Sequence, residues 1–297
     1  MAPLGFAKVG WQGGAGFSPI VASGGTTNTY TDSGVEYKSH TFTGSGTFSV
    51  SDAGSEGLIQ FMVLAGGASG GGGGGDDTGG GGGAGGMLVE TATLSATGNY
   101  SVIVGGGGAG QRWRSSPGNA GGDSTISNPS ATVIARGQNG GAGAAYAGNG
   151  SSGGSGGGAG GTNRTGGARI FDTVNYPSSV QGNSGYKASG SQTGGGGGGA
   201  GGTTGSTQDT AGGSGQPGAN NNYRTGSNVS YAGGGGGGGN SPGSGGGSGA
   251  TNGTNTTQSG NASANSGSGS GGSGGKDNYA TGNGGSGIVV IRYLTGN

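Results

Sequence analysis

Apolar residues are sparse in this chain and gather into a few short runs. The most apolar run after residue 64 is the last one, Ile288, Val289, Val290, Ile291, Arg292, Tyr293 and Leu294, entered through Gly287. A short β-branched run bounded by glycine predicts a buried strand. A buried strand needs partners, and comparable runs lie only far upstream, at 58–64, 87–94, 100–104 and 132–135. The chain is thus expected to leave a β core near residue 136, cross a long glycine-rich region, and return to complete the sheet.

The upstream runs differ in pattern. Within 40–50, Phe42, Phe48 and Val50 share parity, which reads as one strand with one apolar face. Residues 58–64 are almost continuously apolar, as for a central strand covered on both sides. Residues 87–94 and 100–104 flank Ala96-Thr97-Gly98-Asn99 and read as a hairpin. Residues 123–135 read as a further strand pair, interrupted at Asn128-Pro129. His40, the only histidine, reads as a solvated or edge side chain on a strand flank. Residues 1–37 carry scattered apolar side chains without helical period, a leader or attachment segment that docks on the core or on a partner. Glycine density argues against helix throughout.

Glycine supplies 93 of 297 residues, and its arrangement decides between materials. Collagen requires glycine at every third position and abundant proline, whereas 194–199 and 233–239 are unbroken glycine and there are 7 prolines. A flexible linker is the other reading, but charged residues are only 7%, and apolar strands anchor both ends of the region. Ordering so much glycine requires a dense hydrogen-bond lattice to offset its entropy. Polyglycine II, with three residues per turn and no internal hydrogen bonds, provides one. The expected fold is all-β: a small antiparallel, sandwich-like core closed by the C-terminal strand, with a large polyglycine II lattice inserted. The divisions are 1–37 (leader), 38–136 (β core with glycine-rich loops), 137–287 (polyglycine II region) and 288–297 (closing strand).

Charge and motifs narrow the function by exclusion. The formal net charge is zero, so no basic excess points to nucleic acid or to an anionic membrane. No run of 18 apolar residues is present, and membrane insertion is not expected. The absence of cysteine removes disulfides and thiolate metal sites. A dinucleotide loop needs a helix after its strand, and a P-loop match fails at Ser270 and Asp277. Asp76-Asp77 reads as a solvated turn, and no catalytic, cofactor or metal site is expected. What remains are aromatic and arginine side chains in loops between glycine runs: Arg112, Trp113 and Arg114; Phe171 and Tyr176; Tyr223 and Arg224. Such side chains are enriched at binding hot spots, and they can equally cover the ends of a lattice.

Several of these blocks occur together in a known order. Residues 40–50, 58–67, Tyr100-Ser101-Val102-Ile103-Val104 with its following glycines, Gly121-Gly122-Asp123-Ser124, and 284–293 resemble in sequence the glycine-rich domain of bacteriophage tail-fibre, adhesin and other virion proteins. The resemblance implies a non-enzymatic virion protein, probing a host surface glycan or protein through loops on the lattice. It also implies other virion proteins as partners and a homo-oligomer, with a trimer favoured. The alternatives are a capsid or tail decoration protein without receptor binding, and an ice-binding polyglycine protein, which would need flat arrays of threonine.

Overall fold

In the computed structural model, the described residues are 16–74, 78–111, 116–137, 140–145, 148–161, 163–170, 176, 179, 181–188, 192–202, 207–208, 212–274 and 279–296. The strands in chain order are β1 (Val21–Ser23), β2 (Thr26–Asp32), β3 (Val35–Phe42), β4 (Gly46–Asp52), β5 (Leu58–Leu64), β6 (Met87–Thr93) and β7 (Gly98–Ile103). They continue with β8 (Ser124–Ser127), β9 (Val133–Gly137), β10 (Lys187–Ala188), β11 (Thr207–Gln208), β12 (Ala219–Asn221), β13 (Val229–Tyr231) and β14 (Ile288–Gly296). Two antiparallel five-stranded sheets form the core, in the orders β1-β4-β7-β8-β9 and β2-β3-β14-β5-β6. No helix occurs among the described residues.

The C-terminal strand lies at the centre of the second sheet. Val290 stands between Thr41 of β3 and Met62 of β5, and every residue from Ile288 to Tyr293 is buried. Alternation gives β14 two faces. Val289, Ile291 and Tyr293 face the first sheet and join Phe42, Phe48, Val50, Phe61, Tyr100, Val102 and Ile126 in the main core. Ile288 and Val290 point the other way, into a second apolar cluster with Met62, Leu64, Ala84, Met87, Tyr231 and Ala232. That cluster is roofed by the glycine-rich region, which explains why β5 and β14 are apolar on both faces.

Three sequence expectations change here. Residues 40–50 are not one strand: β3 ends at Phe42 and β4 starts at Gly46 in the other sheet. Phe42, Phe48 and Val50 still meet, because the two sheets face each other across one core. The segments 87–94 and 100–104 are not a hairpin, since β6 pairs with β5 and β7 with β4 and β8. Their link crosses between sheets, with Leu94 buried and the Tyr100 hydroxyl donating to the Ala96 carbonyl at 2.5 Å. His40 is not solvated: it is fully buried, its Nδ1 2.7 Å from the Gly24 carbonyl and its Nε2 3.0 Å from the Tyr293 hydroxyl. The β8–β9 pair forms as expected, around a turn held by Asn128, whose side chain accepts from Ser130 and Thr132 N–H. From Ile20 onward the leader segment joins the sheets, supplying β1 and β2, while residues 1–15 lie outside the described residues.

The lattice grows directly out of the strands. The last ladder pair of β5 and β6 is Leu64 with Met87. Beyond it the same two segments stay bonded, through Ala65 N–H to Gly86 O (3.1 Å), Ala68 to Gly83 (2.9 Å) and Gly71 to Gly80 (2.8 Å). The step is now three residues, which is the polyglycine II repeat. Around tract 79–86 the repeat closes on all sides. It donates to tract 267–273 from Gly79, Gly82 and Gly85; to 141–144 from Gly80 and Gly83; and to 195–198 from Gly81 and Ala84. It accepts from Ala65, Ala68 and Gly71; from Ser155 and Gly158; and from Gly235 and Gly238. Three donor and three acceptor neighbours make six, a hexagonal lattice with no room between rods. A Cβ added at Gly79 to Gly83 or Gly85 would come within 1.9–2.4 Å of a neighbour's backbone. Ala84 is accommodated because its methyl enters the second apolar cluster. The lattice includes the tracts at 65–74, 78–86, 105–111 and 116–122 as well as those of 137–287.

Buried serines add side-chain bridges between tracts, at backbone groups that the rod-to-rod bonds leave over. The Ser270 hydroxyl accepts from Gly70 N–H and donates to the Gly282 carbonyl at 2.6 Å. Ser268 links Gly233 to Ser248, and Ser259 links Gly282 to Gly271 in the same way. Ser124 ties the lattice to the sheet, accepting from Gly105 and donating to Leu64. These hydroxyls satisfy backbone groups that burial would otherwise leave unpaired.

Candidate functional site

Arg292 is the one charged residue in the closing strand, and it sits in the middle of a sheet with 5% of its surface exposed. A guanidinium there must be paired. Its Nη1 donates to Asp32 Oδ2 at 3.0 Å and to the Tyr30 hydroxyl at 3.2 Å, and its Nε donates to Gln60 Oε1 at 2.8 Å. Its carbon centre lies 4.2 Å from the Tyr37 ring centroid and 4.0 Å from that of Tyr223. Tyr30 stacks on Tyr37 at 6.0 Å. Burial raises the Tyr30 and Tyr223 phenols above their ordinary range, partly offset by the guanidinium.

Tyr223 arrives from the glycine-rich region, in the loop of the β12–β13 hairpin. That loop is fastened to the sheet at four further points. The Tyr30 hydroxyl donates to the Tyr223 carbonyl at 2.6 Å, and Ser39 and Asn28 donate to the Arg224 carbonyl. Asn222 Nδ2 donates to Asp32 Oδ2 at 2.9 Å. Arg292 is therefore a clamp: it fixes a distant loop on the outer face of the sheet. The Arg224 side chain is exposed. Its guanidinium lowers the Tyr231 phenol somewhat, against the larger upward push of burial.

The other predicted residues fall in two places. Tyr176 meets Phe61 edge to face at 5.9 Å and covers the open side of the main core. Beside it the Ser179 hydroxyl donates to the Glu90 carboxylate. A groove of about 380 Å³ follows β6 there, lined by Met87, Val89, Glu90, Ser179, Ala200 and Ala219, among others. Arg112, Trp113, Arg114 and Phe171 lie outside the described residues, as do Asp76 and Asp77. Their flanks are placed. Gln111 N–H donates to Thr281 Oγ1, and Gly72 N–H donates to the Ser116 carbonyl. Both belong to the lattice end remote from the sandwich, about 20 Å from Leu64 at the polyglycine II rise.

Sequence reasoning missed the clamp. Its signal was present: a single arginine inside an apolar run predicts a buried partner. Asp32, Tyr30 and Tyr37 were hidden in a polar stretch with no apolar alternation. Among the described residues no three His, Asp or Glu side chains converge as metal ligands.

No curated protein matches the chain. A model of the family described as "Glycine-rich domain" matches residues 41–294, from the end of the third strand through the lattice into the last. The match begins at Thr41, near the end of β3, and ends at Leu294 in β14, so it takes in β5, most of β14 and the lattice between them, and the chain belongs to the glycine-rich domain family.

Proposed function

We propose that the chain is a non-enzymatic structural protein of a virion appendage, which presents host-contacting loops at the far end of a rigid lattice. The observation that carries this reading is the six-neighbour packing of tract 79–86. Every N–H from Gly79 to Gly85 is bonded to a different part of the chain, so the rods cannot slide or bend separately. Rods that run away from the sandwich turn at its far end, and the flanks of residues 112–115, Gln111 and Ser116, lie there. A rigid base spares a loop the entropy of being ordered on binding. Trp113 offers a flat face and Arg112 and Arg114 offer forked donors, a set suited to a glycan or protein surface. The sequence resemblance to virion proteins supplies the setting.

The triple variant Arg112→Ala, Trp113→Ala, Arg114→Ala tests the reading. It should melt like the parent chain, because the flanking lattice bonds at Gln111 and Ser116 are backbone bonds that the substitutions leave in place, and particles carrying it should adsorb to host cells at least tenfold less. Unchanged adsorption by folded variant overturns recognition through this tip. Tyr176 and Tyr223 favour the second reading, a decoration protein without receptor binding, since their rings lie against Phe61 and Arg292. Thr27, Thr29 and Thr31 of β2 form a single row beside Glu36 and Lys38, which does not favour ice binding.

A further inference from the structure

The four edges of the two five-stranded sheets are treated differently. β1 is three residues long and its register breaks at Val21. β9 is five residues long and pairs irregularly with β8. β6 is partly occupied: Met87 N–H donates to the Gln181 carbonyl, and Ser179 sits on Glu90. β2 has none of these protections. Its seven residues, Thr26 to Asp32, pair with β3 in unbroken register, and five of them are exposed. It holds no proline, no lysine and no bulge, the usual devices that blunt an edge.

The direction of its free backbone groups follows from the turn. Ser33 and Gly34, with φ of 56° and 84°, make a two-residue hairpin closed by Asp32 and Val35. In such a hairpin the closing pair is hydrogen-bonded, and bonded pairs alternate along the ladder. Asp32, Tyr30, Asn28 and Thr26 thus face β3, and the backbone groups of Thr31, Thr29 and Thr27 face outward. Among the described residues none of these outward groups has a backbone partner.

We propose that β2 is a self-pairing edge, and that its partner is β2 of a second copy of this chain, antiparallel about a two-fold axis at Thr29. Only this register among symmetric ones pairs all outward residues with outward residues: Thr29 with Thr29, and Thr27 with Thr31 twice. Those three pairs exchange about six N–H···O bonds. Threonine opposite threonine is a favourable cross-strand pair. On the other face Asn28 meets Tyr30 and Thr26 meets Asp32, so no like charges are opposed. The contact is isologous, as a two-fold interface must be, and it fuses two five-stranded sheets into one of ten strands. An edge contact of this length is small beside a standard interface, so the dimer is weak and concentration-dependent.

Sedimentation equilibrium of the full chain tests this. The mass should rise from 27.1 kDa toward twice that value as concentration increases. The amides of Thr27, Thr29 and Thr31 should exchange more slowly over the same range. Thr29→Glu places two carboxylates against each other across the axis while standing opposite Lys38 in its own ladder, and should weaken association at least tenfold without lowering the melting temperature. Thr29→Pro removes the central donor and should do the same. A chain that stays single up to about 1 mM, a mass three times the chain, or a Thr29→Glu variant that dimerises like the parent would each overturn the proposal.

Discussion

Replacing Gly82 with alanine adds one methyl at the centre of the lattice. Its carbon would stand 2.3 Å from the Ala68 carbonyl oxygen and 2.8 Å from two backbone carbons of residues 68 and 69. Ordinary contact begins at 3.4 Å, so tract 65–71 must retreat by about 1 Å. Three bonds cross that boundary, Ala65 to Gly86, Ala68 to Gly83 and Gly71 to Gly80, now 3.1, 2.9 and 2.8 Å long. Stretching them by about 1 Å takes them out of hydrogen-bond range. A buried backbone group left without a partner costs about 1–3 kcal/mol. Losing two or three bonds therefore costs about 2–9 kcal/mol, against about 0.4–1 kcal/mol gained by stiffening the unfolded chain. Gly106→Ala is the control, because a Cβ there meets nothing within 4 Å. It should be neutral or stabilise by up to about 1 kcal/mol. Denaturant unfolding measures both as shifts in midpoint at unchanged slope. A Gly82→Ala variant within about 1 kcal/mol of the parent, or a Gly106→Ala variant equally damaged, refutes the close-packed lattice.

Three other outcomes follow from the same structure. Arg292→Ala should cost about 3–5 kcal/mol, because Asp32 is left without its counter-charge; combined with Tyr223→Ala, the two losses should be less than additive in a double-mutant cycle. Burial, aided by the nearby Lys38, lowers the His40 pKa below its usual 6.5. The unfolded chain then takes up a proton first, so stability is full above about pH 6.5 and falls as the pH drops below it. Thermal melts should show this slope, and His40→Gln should flatten it. Truncation after Gly287 removes the central strand and exposes the apolar flanks of β3 and β5, so no soluble monodisperse protein should be recovered.

Much of this architecture was legible in the sequence, for reasons that can be named. The run 288–294 announces a buried strand, 58–64 one covered on both sides, and the unbroken glycine at 194–199 and 233–239 a hydrogen-bonded polyglycine lattice. What was hidden has equally physical causes. β2 is polar and half-exposed, so no hydrophobic alternation marks it. Residues 40–50 read as one strand and 96–99 as a hairpin turn, but which sheet receives the next strand is set by packing across the core, where Tyr100 and Phe48 are needed on one side and Phe61 on the other. The clamp depends on Tyr223 and Asp32, which are distant in sequence, and no local pattern links them to Arg292.

The rods of the lattice also govern how the chain comes to be folded. A helix satisfies its own backbone as it forms, but tract 79–86 satisfies nothing alone. Its six neighbours lie in segments spread from residue 65 to residue 273. During synthesis the early glycine tracts therefore emerge long before most of their partners exist, and they remain solvated coil until the last third of the chain appears. Closure of such long loops precedes any gain from the bonds they make, which places folding among the slow, high-contact-order cases. Assembly is then a late and concerted event, completed when β14 enters between β3 and β5.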